Sequence, residues 1–177
     1  MFPDHTLESA PAESRRIMQA TEQRMGFLPA ATARMATSPQ LLEGFTKISA
    51  LFESTTLDPM AREVLVLTMA TRNGCHICVA LHTARLIDLG ADPETIAALR
   101  AQTPLRDPRS EAMRAFVLAV LAAAGDVDDA TMAEFLAAGF TPRNALEVVL
   151  GIGAYTTSTF ANRMTKAPVD DPLLQFA

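Results

Sequence analysis

Wherever this sequence shows a period, the period is helical. Leu41, Phe45, Ile48 and Phe52 recur at three- and four-residue spacing, which places them on one face of a helix with 3.6 residues per turn. No run alternates apolar and polar residues with the period of two that a half-buried strand needs. Pro and Gly stand between the periodic segments as punctuation. They predict helices over 11–25 (closed by Gly26 and the turn GFLP), 30–36, 39–53, 59–72, 75–89, 93–101, 110–124, 128–138 and 142–165. QTPLRDPRS (102–110) reads as a surface loop and APVDDPLLQFA, at the C-terminus, as irregular chain. Asp58 caps the helix that starts at Pro59, where a missing N–H costs nothing. That helix contains REVLVLTMATR (62–72), apolar nearly all round, and so belongs at the centre of the fold. The fold class expected is all-α.

One stretch repeats another. LIDLGADPETIAAL (86–99) and FLAAGFTPRNALEV (135–148) both read as a helix, a glycine stop, one residue, a capping residue, Pro and a new helix. Shared cap grammar between two helical hairpins accounts for this; a duplicated helical unit is the alternative.

At 177 residues a single domain spanning 1–177 is expected, with roughly 70% of the unfolded chain's surface available for burial. Hydrophobic residues make up 49% and charged residues 20%, a globular composition. The net charge of -5 and the lack of a basic run argue against nucleic acid as a partner. The N-terminus MFPDHTLESAPAES has neither a basic nor an apolar signal region. The longest apolar stretch, AFVLAVLAAAG (115–125), falls short of the about 20 residues of a membrane span. These features predict a soluble, cytoplasmic protein without a membrane partner. A phosphate-binding Gly-rich loop, a GxSxG elbow and a dinucleotide fingerprint are all lacking.

Chemistry concentrates in NGCHICVALH (73–82). Both cysteines of the chain and two of its three histidines fall in these ten residues. On a helix, Cys75, Cys78 and His82 stand at i, i+3 and i+7 and share one stripe, while His76 lies about 100° around the axis. A CxxC pair at a helix N-terminus can close a disulfide, and the terminus stabilises a thiolate there. The dipole favours Cys75 as the more acidic thiol; His82, one turn below Cys78 and able to take its proton, favours Cys78. Glu63 lies early in an apolar helix, where a carboxylate is costly unless paired. If the helices at 59–72 and 75–89 pack antiparallel, Glu63 reaches His82 and completes a Glu–His–Cys proton relay.

Two other readings compete. Cys75, Cys78, His82 and Glu63 are acceptable zinc ligands, although structural zinc sites usually draw a second ligand pair from another loop. Alternatively the chain is a non-catalytic helical oligomer, with its nine Met and nine Phe available for subunit contacts. Tyr155 and Asn162, seven apart on one face of the last long helix, are positioned to border a pocket or interface, but ordinary core or solvent positions are the simpler reading.

EVLVLTMATRNGCHICVALH (63–82) resembles the signature of AhpD-like proteins in the carboxymuconolactone decarboxylase superfamily. The resemblance rests on Glu63, Asn73-Gly74, Cys75, Cys78 and His82, covers about 57–100, and extends more loosely to GFTPRNALEVVLGIGAYTTSTFANRMTKAP (139–168). It implies an AhpD-like helical fold, assembly as a homotrimer or homohexamer, and reduction of hydroperoxides without a cofactor. By the same resemblance Cys78 attacks the peroxide, Cys75 resolves the sulfenic acid to a disulfide, and Glu63 and His82 move protons. A lipoyl-bearing or thioredoxin-like dithiol donor would restore the pair. One departure stands out: members of the well-studied peroxidase type often carry His just before the second cysteine and many others carry Tyr, whereas this chain has Ile77 there and His76 one place earlier. The superfamily's lactone decarboxylases generally lack the cysteine pair, so its presence argues against decarboxylation. Disulfide oxidoreduction without peroxide specificity is the nearest alternative activity.

Overall fold

The computed structural model describes residues 1–177 and is all-α, with no strand. Its helices are α1 (Ala12–Met25), α2 (Ala30–Met35), α3 (Pro39–Glu53), α4 (Pro59–Arg72), α5 (His76–Asp88), α6 (Pro93–Ala101), α7 (Pro108–Ala122), α8 (Asp129–Ala137) and α9 (Pro142–Thr165). No helix is long and apolar enough to cross a membrane.

Five of these helices open on the same grammar, a polar residue followed by Pro. The side chains of Ser38, Asp58, Asp107 and Thr141 each accept a hydrogen bond from a backbone N–H of the first turn, and Thr141 and Asn144 form a reciprocal capping box. Asp92 precedes Pro93 without such a bond. The same rule corrects one boundary. The loop expected over 102–110 ends early because Asp107-Pro108 is itself a helix start, with Asp107 accepting from the Ser110 N–H at 2.8 Å.

The C-terminal segment is a second correction. Asp171–Phe176 forms a 3₁₀ turn rather than irregular chain and packs against α5. Leu173 is buried there, Arg100 donates to the Phe176 carbonyl at 2.6 Å, and Asp170 accepts from the Ala30 N–H at 2.9 Å. These contacts come from distant parts of the chain, so local periodicity carries no trace of them.

As expected, α4 is central. Nine of its residues, Ala61 and Glu63 through Ala70, are buried, and it packs against α5, α6, α7 and α9. One contiguous core runs through the chain around Val64, Leu65, Leu67 and Met69. The long helix α9 lies across α3 and α4 and exposes an apolar stripe of Leu146, Val149, Phe160 and Met164 on its opposite side. Its approach is closest at Gly151. A Cβ there would come within 2.5 Å of the Phe52 ring and 3.0 Å of Leu65. Phe52 and Leu65 are themselves fully buried, so neither can move aside freely.

Gly151→Ala is therefore expected to destabilise the fold despite the better helix propensity of alanine, worth about 1 kcal/mol. Overpacking costs about 1–3 kcal/mol, so a net loss of up to about 2 kcal/mol should appear as a melting temperature a few degrees lower. An unchanged or raised melting temperature would show that α9 can back away from α3 and α4.

Candidate active site

The site starts with the turn between α4 and α5. Asn73 ends α4, Gly74 takes a left-handed φ of 63°, and Cys75 is the N-cap of α5. Two residues of α9 fasten this turn. Asn73 donates through Nδ2 to the Thr159 hydroxyl at 2.9 Å, and the Arg163 guanidinium bonds the Asn73 carbonyl. The positive φ of Gly74 favours glycine there. With the turn held, Cys75, Cys78 and His82 fall along one buried stripe of α5, and His76 faces solvent.

The two sulfur atoms are 2.6 Å apart and share a hydrogen bond. Cys75 is 1% exposed and Cys78 4%. The hydrogen bond between the two sulfurs draws the Cys75 pKa down to about 7. Burial opposes this, while the Cys78 backbone N–H, the Asn162 amide and the charge of Arg163 assist it. Cys78 moves the opposite way, held protonated by its bond to Cys75 and by burial. Near neutral pH the pair is thus poised to take one negative charge, with the remaining proton held by Cys78.

Glu63 and His82 meet as the antiparallel packing of α4 on α5 predicts. His82 Nδ1 is 2.6 Å from Glu63 Oε2, and both side chains are buried. Arg85, one turn beyond His82, donates to the other Glu63 oxygen at 3.2 Å and to Glu53 at 3.3 Å. Burial pushes the Glu63 carboxyl up, but the charges and hydrogen bonds of His82 and Arg85 outweigh it and hold the pKa below the ordinary value. The expected direct His82–Cys78 link is not made: the imidazole's hydrogen bond goes to Glu63. Histidine and cysteine are instead separated along the wall of one cavity.

That cavity measures about 640 Å³. Cys78, His82, Tyr155, Ser158 and Asn162 line it, together with apolar walls from Met35, Leu42, Phe45 and Leu81; Cys75 does not. Tyr155 sits edge-on to His82 at 5.3 Å between ring centres and edge-on to Phe52 at 5.9 Å. Burial pushes its phenol well above the ordinary value, so it remains protonated. Both Tyr155 and Asn162 therefore border a pocket rather than occupying ordinary core positions. Ser158 and Arg85 had gone unnoticed in the sequence. Arg85 stands three residues from His82, and Ser158 stands between Tyr155 and Asn162 at the same helical spacing; those intervals were the available signals. No group of three or more His, Cys, Asp or Glu side chains is arranged to hold a metal ion, so the four possible zinc ligands do not form a cage.

Residues 39–117 match the model of the carboxymuconolactone decarboxylase family. No curated protein sequence matches the chain. Among solved structures, the alkylhydroperoxidase AhpD core of an uncharacterized peroxidase-related protein from Ralstonia eutropha JMP134 is similar, with a TM-score of 0.86 at 22% identity. The alignment covers 99% of this chain and 94% of that one. An uncharacterized peroxidase-related protein from Silicibacter sp. TM1040 aligns with a TM-score of 0.79 at 19% identity, over 97% of this chain and 91% of that chain. The debrominase Bmp8, solved in complex with 2,3,4-tribromopyrrole, aligns with a TM-score of 0.76 at 16% identity, over 97% and 92%. The family match spans the helices that carry Glu63, both cysteines and His82, and the fold shared with these structures extends to α9: the chain has an AhpD-like helical fold and, over 39–117, is similar to the carboxymuconolactone decarboxylase family.

Proposed function

We propose that the chain is a thiol-dependent peroxidase of the alkylhydroperoxidase type. The observation that carries this reading is the asymmetry of the pair: Cys78 opens into a cavity shared with a carboxylate-backed histidine, and Cys75 sits behind it in contact with its sulfur. At about 30 Å³ per water, the cavity takes an organic hydroperoxide far larger than hydrogen peroxide, and its apolar walls suit an alkyl or aryl group.

The steps follow from the proton inventory. Cys75 thiolate takes the Cys78 proton across their shared hydrogen bond. The Cys78 thiolate attacks the terminal peroxide oxygen; an S–O bond forms and the O–O bond breaks. The attacked oxygen keeps its hydrogen as Cys78 sulfenic acid. Protonated His82, balanced by Glu63, gives its proton to the departing alkoxide, which leaves as alcohol. Cys75 then attacks the sulfenic sulfur, and hydroxide departs with the Cys75 proton as water. Sulfur is oxidised by two electrons and the peroxide reduced by two. A dithiol donor must reduce the disulfide. Because both sulfurs are buried, an arm-borne dithiol such as a lipoyl group suits the cavity better than a thiol on a thioredoxin-like protein surface. Assembly as a homotrimer or homohexamer is part of the proposal, supported by the exposed apolar stripe of α9.

One observation favours a second reading, a dithiol reductant without peroxide specificity. The debrominase of like fold was solved with a brominated pyrrole, and here the aromatic residues Phe45 and Tyr155 line the cavity wall. In that case an aryl bromide would take two electrons from the dithiol, yielding the hydrogen-bearing ring, bromide, a proton and the disulfide. Assaying cumene hydroperoxide and a bromopyrrole side by side separates the two; turnover of the bromopyrrole alone would remove the peroxidase reading.

The thiolate absorbance should rise with pH around a midpoint near 7, below the ordinary thiol value of 9.0. Below that midpoint the rate with peroxide should climb about tenfold per pH unit. Cys75→Ser should move the midpoint upward, because the remaining thiol loses its partner. A wild-type midpoint at 9 would show that the two sulfurs do not share a proton.

Cys78→Ser should abolish turnover, whereas Cys75→Ser, which keeps the attacking sulfur but loses the neighbour that takes its proton, should react slowly and stall after one equivalent as a sulfenic acid that dimedone traps. The reverse pattern would exchange the two roles.

His82→Ala should slow peroxide cleavage by about 10²–10⁴-fold, the usual worth of a general acid, while iodoacetamide alkylates Cys78 at nearly the wild-type rate. Equal slowing of both reactions would mean that His82 acts on the thiol and not on the leaving oxygen.

A further inference from the structure

We propose that Asn162 is a catalytic residue whose side-chain NH₂ spans both cysteine sulfurs and holds whichever one carries the negative charge. This rests on the dithiol reading above and adds the group that binds its thiolate.

The geometry is direct. Asn162 Nδ2 lies 3.4 Å from Cys78 Sγ and 3.7 Å from Cys75 Sγ, donating toward both. An amide has two N–H groups and so can address two acceptors at once. The Ser158 hydroxyl completes the cradle, 3.5 Å from Asn162 Nδ2 and 4.0 Å from Cys78 Sγ. Asn162 is 5% exposed. Its position is fixed from two sides. Thr159 and Arg163, which flank it on α9, grip the turn that begins α5. Asn162 therefore cannot drift from the sulfurs without releasing the helix start that carries them.

A second, independent feature supports a functional role. Asn162 Oδ1 is buried and has no hydrogen-bond partner. A buried acceptor left unpaired costs folding free energy, and a leucine of similar size would avoid that cost. Keeping an amide here thus works against stability. The gain falls on the other half of the side chain, where a neutral donor offsets negative charge on sulfur without bringing a competing proton or a counter-ion. Both thiols are made more acidic by this amide. The charge moves during the reaction, from Cys75 in the resting pair to Cys78 in attack, and onto one of the two again when the disulfide is reduced. A single donor placed between the sulfurs serves each of these states with no rearrangement.

The test combines thiolate titration by ultraviolet absorbance, thermal melting and single-turnover oxidation by cumene hydroperoxide, on the full chain with Asn162→Leu and Asn162→Ala. Both variants should raise the first thiolate midpoint by about one pH unit and slow oxidation about tenfold at pH 6. Asn162→Leu should melt no lower than the wild type, because it removes an unpaired polar atom; Asn162→Ala, which leaves a void, provides the readout if leucine does not fit. Unchanged midpoints in the folded variants would overturn the proposal, as would an Asn162→Leu that melts lower with its midpoint intact, the behaviour of a packing residue. Titration needs no peroxide. A shifted midpoint in a protein that fails to reduce any hydroperoxide would uphold Asn162 as the thiolate-binding group and remove only the peroxidase reading.

Discussion

The close approach of α9 to α3 and α4 is the constraint on which the site depends. Glycine at position 151 lets the two backbones come near enough for Phe52 and Leu65 to fill the space a side chain would take. From that contact the helix runs past α5 at a fixed height. One face of it then delivers Tyr155, Ser158 and Asn162, at three- and four-residue intervals, to the cysteine pair and His82. Thr159 and Arg163 add the polar fastening to the α4–α5 turn. A helix that contributes no sulfur, imidazole or carboxylate to the chemistry therefore decides how those groups are presented.

The Glu63–His82 pair illustrates how burial and charge are balanced. A lone carboxylate in the α4 core would be driven to its neutral form. Here two partners share its two oxygens, the His82 imidazole on one and the Arg85 guanidinium on the other. The consequence for mechanism is geometric. An imidazole whose Nδ1 is committed to Glu63 has one nitrogen left, and the hydrogen bonds place no thiol on it. On the proposed peroxidase reading, the pair then suits delivery of a proton to a leaving oxygen in the cavity better than removal of a proton from Cys78. Deprotonation falls to Cys75, which already shares the Cys78 proton.

Much of this was legible in the chain because it is local. Helical spacing, capping residues before Pro and the apolar character of 62–72 are read from neighbours in sequence, and the helices they predict are present with shifts of about two residues at most. The stripe of Cys75, Cys78 and His82 is equally local. Glu63 was reachable because one short turn joins its helix to the cysteine helix, leaving antiparallel packing as the simple arrangement. The α9 residues are different. Spacing groups Tyr155, Ser158 and Asn162 on one face of α9, but it does not show that Ser158 and Asn162 face sulfur, since that depends on where α9 crosses a helix eighty or more residues earlier. The C-terminal 3₁₀ turn escaped for the same reason, as Arg100 and Ala30 hold it from far along the chain.

The division of labour between the cysteines follows from the same packing. Acidity and access point to different sulfurs: Cys75 has the lowered pKa, and Cys78 has the cavity. In a pair with separated thiols this would be a contradiction. With the sulfurs 2.6 Å apart it is a division of function, because the proton crosses between them more easily than either sulfur moves. Charge can rest on Cys75, where the helix N-terminus and Arg163 favour it, and appear on Cys78 when an electrophile arrives. A resting thiolate kept out of the cavity is shielded from adventitious oxidants, and the sulfur facing the cavity is most nucleophilic when its neighbour accepts the proton. The buried amide of Asn162, spanning both positions, is what this exchange of charge requires of its surroundings.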